Sequence, residues 1–439
     1  MRLTPIEPWT ASQIGRAGQA ITRANIEAYQ LNQLRVTLRL AHDRSSFYRR
    51  RLGDTPLELA SLADMARLPF TTADDIRDNP LQFLCVSQDD IQRVVTLDTS
   101  GTSGKPKRIY FTKSDQERII EFFGVGMSTF TERGDRVLIL LPGHTPGSIG
   151  DLLGLALAQL GAAAIQHGPV RDPAATLDVM RREQVSMIVG LPTHVLALVR
   201  QPGGADIHLK SALLVSDHVP EAIRRAVEGA WDCTVFNHYG MTEMGLAGGV
   251  ECEAHRGYHF REVDLYVEIV DPSSGAPLPD GEMGEVVFTT LMQAGMPLIR
   301  YRTGDVSRFI PGGCPCGTHL KTMERLTYRL SGRIPAGDGF LTMADLDEAL
   351  FSVEGVLDFS AALAHEDGGD VLRISVETAA AGADALSAAL REALTKIPTC
   401  QSDKLSIDMQ VRTGNQSTVR NMGKRAIVDE RPHPGRIAC

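Results

Sequence analysis

The sequence predicts an α/β protein with a large N-terminal domain of mainly parallel sheets and helices, a strand-rich subdomain within it, and a small α+β C-terminal domain. Three changes of pattern along the 439 residues carry that prediction. From Asp135 short apolar runs, DRVLILLP, AAAIQHG, VSMIVGLP, SALLVSD and CTVFNHYG, alternate with stretches mostly long enough for a crossover helix, as parallel strands require. After Gly257 the runs LYVEIVD, GEVVFTTL and PLIRYRTGD crowd together, the first two joined by the turn-rich PSSGAPLPDGEMG, so antiparallel pairing is expected. Near LSGRIPAGDGF glycine and proline accumulate, and LDEALFSVEGV, VLRISVET and DALSAALREALTKI then read as helix, strand and helix.

The N-terminal ninety residues are helical by pattern. In NIEAYQLNQLRVTLRLAHDRSSFYRRRL, Leu31, Leu34, Leu38 and Ala41 recur three or four apart on one helical face. Val36 and Leu40 also permit alternation, but the run is long for a strand. These breaks give a first domain over 1–333, strand-rich at about 251–333, and a second over 334–439.

Composition narrows the function. Apolar residues make up 43% and charged residues 23%, the balance of a globular enzyme and not of a disordered chain. Lys and Arg total 45 against 54 Asp and Glu, a net charge of −9. With no long basic run, such a chain is unsuited to clamping a nucleic acid, and any phosphate must be held locally. The N-terminus lacks the basic-then-apolar layout of a signal peptide, and no apolar run approaches about eighteen residues. A cytoplasmic protein without membrane or nucleic-acid partners is expected.

Two constellations carry chemistry. The stretch TLDTSGTSGKPKRIYFT is not a Walker loop, because Gly104-Lys105 is followed by Pro106 and Thr99 stands where the first glycine belongs. Its hydroxyls and backbone N–H groups, with Lys105 and Lys107, suit phosphate oxygens; a surface turn between two strands has the same composition, so both readings stay open. Second, Cys252 and His259 with Cys314 and Cys316 of GGCPCG supply one imidazole and three thiols, the donor inventory of a closed structural zinc site. The seven cysteines are an odd number in a chain expected to be cytosolic, which disfavours a disulfide framework.

TSGTSGKPK, FNHYGMTEMG, PLIRYRTGD and NMGKR fall in the order and at the separations of the adenylate-forming superfamily of acyl-CoA ligases, luciferases and peptide-synthetase adenylation domains, which this chain resembles. SSFYRRRL, LPFTTADDIRDN, CEAHRGYHFREVDLYVEIVDP and MPLIRYRTGD are similar to its phenylacetate-CoA ligase-like branch. The likeness runs from about residue 30 to 333 and returns near Lys424.

The resemblance implies activation of a small, aromatic carboxylic acid by ATP and Mg²⁺ as an acyl-adenylate, followed by transfer to CoA. Thr99, Ser100, Gly101, Thr102, Ser103, Gly104 and Lys107 would hold the β- and γ-phosphates. Tyr239 would stack on adenine, flanked by Asn237, His238 and Gly240; Thr242 would donate to the α-phosphate, and Glu243 would hold magnesium. Asp305 would accept from the ribose hydroxyls, and Arg333 would reach ribose or phosphate. Lys424 is the implied catalytic lysine, since it follows Gly423 directly; a small mobile C-terminal domain would deliver it. In the branch, positions matching Cys252, His259, Cys314 and Cys316 are associated with zinc. The acid pocket would be lined by His144, Gly147, Pro192, His194, Tyr239 and Gly240.

Two departures stand out. GRIPAGDGFLTMADLDEAL is shorter than the family's hinge, carries Pro335 and lacks its Arg-Gly, so a carrier protein, an amine or a reductase stands beside CoA as acceptor. Ser216 and Asp217 occupy the place of a Gly-Glu or Gly-Ala pair beside adenine. The resemblance leaves a homodimer open, and a nucleotide-binding protein without turnover is disfavoured by retention of Glu243, Asp305 and Lys424.

Overall fold

The computed structural model describes residues 1–97, 106–326, 328–366, 368–378, 383–413 and 425–431. The chain divides into two compact units: Met1–Gly134 with Pro142–Ala164 and Phe236–Leu326, and Asp135–Leu141 with Ile165–Val235 and Thr327–Cys439.

In the first unit the expected early helix is Arg23–Arg44, started by a capping box between Thr22 and Asn25. Leu34, Leu38 and Ala41 are fully buried while Val36 is 53% exposed, so the helical period describes this run and the alternating one does not. Strands Ile91–Leu97 and Lys107–Thr112 pair antiparallel and lead into helix Lys113–Met127, capped by Thr112. Leu265–Val270, Gly284–Thr290 and Tyr301–Ser307 form an antiparallel set, as their spacing predicts. Gly249–Glu251, Tyr258–Phe260 and Thr322–Met323 form a second.

Arg300 ties the first set down. It holds φ +46°, is 1% exposed, and its guanidinium meets both oxygens of Glu268 at 3.2 and 3.1 Å. It also donates to the carbonyls of Ala66 and Leu68 and stacks 4.1 Å from the Phe70 ring. Burial holds Glu268 above the usual carboxylate range even beside that cation. Arg300→Ala strands this carboxyl and two carbonyls, and is expected to cost about 3–5 kcal/mol in urea unfolding.

In the second unit Arg136–Ile139, Met187–Gly190 and Ser211–Leu214 run parallel, connected through helices such as Pro173–Arg182 and Pro192–Val199. The C-terminal part holds helices Met343–Leu350 and Ala383–Leu394 against a sheet ordered Leu405–Thr413, Gly369–Thr378, Val356–Glu366, Val428–Asp429. It is α+β as predicted, but richer in strand. Gly355, at φ +90°, separates the end of the helical segment from Val356–Glu366, a strand that the helix–strand–helix expectation omits. One apolar core unites this sheet with the parallel strands, from Leu138 and Trp231 to Phe351, Leu363 and Ile427. Among the described residues no helix is long and apolar enough to cross a membrane.

Candidate active site

Leu97 faces Lys107 across the antiparallel pair, so the hydroxyl- and glycine-rich stretch joins two strand ends. Thr99, Ser100, Gly101, Thr102, Ser103 and Gly104 lie outside the described residues. Lys107 begins the second strand; its Nζ forms an ion pair with Glu243 and donates to the Tyr301 hydroxyl at 3.3 Å. Tyr301 in turn donates to Glu243 Oε1 at 3.0 Å. Burial pushes the Glu243 carboxyl up, but Lys107 and the hydrogen bonds outweigh it and hold the group below its ordinary value. Glu243 is therefore an anion in a buried place, the state a magnesium ligand requires.

Thr242 and Glu243 sit on one tight turn, Thr242–Met244, with Thr242 half-buried and Glu243 buried. Arg261 donates to the Met244 carbonyl and closes that turn. Gly245 follows at φ +75°, where a Cβ would lie 2.8 Å from Arg261 Nη2. Burial lowers the Arg261 guanidinium to about 10, with Asp264 opposing the shift.

The Tyr239 hydroxyl donates to Asp305 Oδ2 at 2.9 Å, and both residues are buried. The Tyr239 ring lies 5.9 Å from those of Tyr258 and Phe260. Asn237 donates its backbone N–H to Glu251 and accepts from the His238 N–H at 2.7 Å. Burial, then the charge of Arg261, pushes His238 down to about 4, so its imidazole is neutral near pH 7. His238 Nε2 is buried and lacks a hydrogen-bond partner among the described residues. Gly240 allows a close approach: a Cβ would meet the Leu246 carbonyl at 2.7 Å and His238 Cε1 at 2.9 Å. Of the other proposed pocket residues in this unit, His144 is exposed, and the Gly147 N–H donates to Asp151 at 2.7 Å.

In the second unit Pro192 and His194 lie buried on helix Pro192–Val199. Ser216 holds φ +73°, the left-handed conformation that glycine favours. Ser216→Gly is expected to raise stability by about 0.5–1 kcal/mol, read as a higher thermal midpoint. Asp217 accepts from the N–H groups of His218 and Arg425. Arg333 is exposed with its guanidinium 4.0 Å from the Phe340 ring, at the edge of the hairpin Ile334–Ala336/Gly339–Leu341. Lys424 lies outside the described residues, and Arg425 is the first described after it.

The first unit thus gathers Lys107, Glu243, Tyr239 and Asp305 from three distant segments. Sequence reading passed over Tyr301 and Arg261. Strand alternation was the available signal for Tyr301, which shares one face of Tyr301–Ser307 with Thr303 and Asp305. No local pattern marks Arg261.

Cys252, His259, Cys314 and Cys316 converge, with their donor atoms all within 4.8 Å of one another. Cys252 Sγ lies 3.6 Å from Cys314 Sγ, and His259 Nε2 lies 3.3 and 3.5 Å from Cys252 and Cys316. Thiolates around tetrahedral zinc at ~2.3 Å stand about 3.8 Å apart, so the donor set fits such an ion closely. His259 Nδ1 is 3.4 Å from the Lys321 carbonyl, an arrangement that directs Nε2 toward the thiols. All four residues are buried.

The profile of the AMP-binding enzyme family matches residues 40–293, more than half of the chain. The chain belongs to that family. Phenylacetate-coenzyme A ligase of Escherichia coli (strain K12) is 33% identical over 325 residues, covering 70% of this chain and 71% of that protein. The ligase of the same name from Thermus thermophilus is 30% identical, covering 69% and 70%. A solved 2-hydroxyisobutyryl-CoA ligase in its postadenylation state, with 2-HIB-AMP, shares the fold at a TM-score of 0.81 and 20% identity, over 94% of this chain and 91% of that one. The family together with its phenylacetate-coenzyme A ligase relatives supports an AMP-forming acid–CoA ligase, with ATP-dependent activation of a carboxylic acid as its adenylate and transfer of the acyl group to CoA. The family resemblance carried by TSGTSGKPK, HYGMTE and YRTGD is thereby borne out at the level of family and reaction.

Proposed function

We propose that this AMP-binding enzyme activates a small aromatic carboxylic acid of the phenylacetate type, with Lys424 as its catalytic cation. The observation that supports the assignment of the nucleotide site is the buried Lys107–Glu243–Tyr301 cluster together with the Tyr239–Asp305 hydrogen bond. A carboxylate oxygen of the acid attacks the α-phosphorus, and the bond to the β-phosphate oxygen breaks with release of pyrophosphate. Two anions must approach, so donors and cations around the α-phosphate set the rate. Thr242 donates to the α-phosphate and Lys424 bridges it to the attacking carboxylate. Glu243 would hold magnesium, which would supply positive charge against the phosphates. Lys107 then exchanges the carboxylate for β- and γ-phosphate oxygens, alongside the loop 99–104. Asp305 takes the ribose and Tyr239 the adenine; Asn237, His238, Gly240, Ser216 and Asp217 line the nucleotide, and Arg333 reaches it from the hinge.

To the acid we assign His144, Gly147, Tyr239 and Gly240 of the first unit and Pro192 and His194 of the second. Zinc held by Cys252, His259, Cys314 and Cys316 is structural, since four protein donors leave no position for water. We assign 1–333 as the adenylating domain and 334–439 as the domain that rotates about residues 333–338 between the two half-reactions. Transfer to a carrier-protein thiol is a second reading, favoured by the Pro335-bearing hairpin where the family has its Arg-Gly hinge. The reaction belongs in the cytoplasm, where ATP and CoA are supplied.

The test is pyrophosphate release with ATP and Mg²⁺ across benzoic, phenylacetic, heteroaromatic and short aliphatic acids, with and without CoA. Turnover with an aromatic acid that needs CoA, and a thioester detected by mass, is expected. A single equivalent of pyrophosphate that CoA cannot accelerate would move the acceptor to a carrier protein.

A further inference from the structure

Arg425, the residue directly after Lys424, is more deeply engaged than a surface cation on a chain end needs to be. Its side chain is 14% exposed, and Nη1 meets Asp347 Oδ1 at 2.6 Å, a carboxylate itself 4% exposed. Nη2 donates to the Phe359 carbonyl at 2.8 Å and lies 3.4 Å from Asp358. The guanidinium stacks on the rings of Phe359 and Phe351, at 4.2 and 4.8 Å. Its backbone N–H reaches Asp217 Oδ2 at 3.4 Å, on the segment that begins with the strained Ser216. Beyond it Ile427 is buried in the core, and Val428 and Asp429 pair with Ala362 and Leu363. The chain is thus anchored over Arg425–Asp429.

We infer that Arg425 is a positioning residue for adenylate formation: its guanidinium, held by Asp347, the Phe359 carbonyl and two phenylalanine rings, sets the place from which Lys424 reaches the reacting phosphate. The inference rests on the reading of Lys424 as the catalytic lysine. The two acids come from different parts of the second unit, Asp217 from the loop after strand Ser211–Leu214 and Asp347 from helix Met343–Leu350. The side-chain grip lies within 334–439; across the proposed boundary at 333 Arg425 offers its backbone N–H to Asp217, a contact that substitution of the side chain leaves in place. Planar stacking and a forked donor set suit arginine and not lysine, so Arg425→Lys removes the grip while keeping the charge.

The substitution is tolerable. Burial pushes Asp347 up to about 7, aided by Asp217 and Asp358 and opposed by Arg425 and His218. Without Arg425 this carboxyl takes up a proton and does not remain a bare buried charge.

Arg425→Ala, Arg425→Lys, Asp347→Asn and Lys424→Ala are compared with the wild-type chain in each half-reaction. Acid-dependent pyrophosphate exchange with phenylacetate and benzoate reads adenylation; CoA added to synthetic phenylacetyl- or benzoyl-adenylate reads thioester formation. The three grip variants are expected to lose about 10–100-fold in exchange and to keep thioester formation within about twofold, since a 1 Å misplacement suffices for such a loss. Equal loss in both half-reactions would reduce Arg425 to a structural role and overturn the inference. So would unchanged exchange in the grip variants while Lys424→Ala is impaired, with the reading of Lys424 intact. Unimpaired exchange in Lys424→Ala would instead overturn that reading, and the inference with it.

Discussion

Lys424→Ala is expected to slow acyl-adenylate formation by about 10²–10³-fold while leaving binding of ATP within a few-fold of wild type. Charge builds on the α-phosphate as the carboxylate closes on it, and a cation placed between the two acts more strongly in the transition state than in the ground state. Loss of such a group therefore falls on the rate of pyrophosphate exchange and not on the concentration of ATP needed. Thioester formation from supplied adenylate should be spared, because that step needs no cation between carboxylate and phosphate. A uniform loss of nucleotide binding would assign Lys424 to ground-state recognition, and unchanged exchange would remove it from the mechanism. Lys107→Ala is a different experiment: it strands the buried Glu243 and mixes a folding defect with a catalytic one.

Removal of the metal is expected to have the largest effect on stability. Structural zinc sites bind with apparent free energies of about 10–16 kcal/mol, as large as the whole stability of a typical domain at about 5–15 kcal/mol. The donors come from the segments around Gly249–Glu251 and Tyr258–Phe260 and from the turn at 314–316, and Thr322 pairs directly with His259. Losing the ion would release two strand-bearing segments and the turn at 314–316 at once. Protein purified without added metal should carry about one zinc per chain, and Cys314→Ala or Cys316→Ala should lose that metal and melt at clearly lower temperature. Buried thiols that serve only as packing would behave otherwise: metal content near zero, no response to a chelator, and a small shift of the midpoint on substitution.

Much of this protein was legible before any coordinates. Apolar runs separated by crossover lengths foretold the parallel strands Arg136–Ile139, Met187–Gly190 and Ser211–Leu214, because both faces of such a sheet are covered and its strands read as near-continuous apolar runs. Helix Arg23–Arg44 followed from the spacing of Leu34, Leu38 and Ala41. The four donors of the Cys–His cluster were identifiable from their side chains, and the four motifs from their resemblance to the adenylate-forming superfamily.

What only the tertiary structure decided are the relations that no local pattern encodes. The pairing of Val356–Glu366 and Leu405–Thr413 with Gly369–Thr378, one antiparallel and the other parallel, is such a relation: the alternation of Leu405, Ile407, Met409 and Val411 marks a strand but not its partner. Tyr301 and Arg261 acquire their roles only when folding brings them to Glu243 and to the Met244 carbonyl. No local pattern marks Arg425; it is an anchor only where Asp347, Asp217 and two phenylalanine rings meet around it. Sequence names the chemical groups and their order, and folding sets which charges share a low-dielectric space, where their interaction is strong enough to matter.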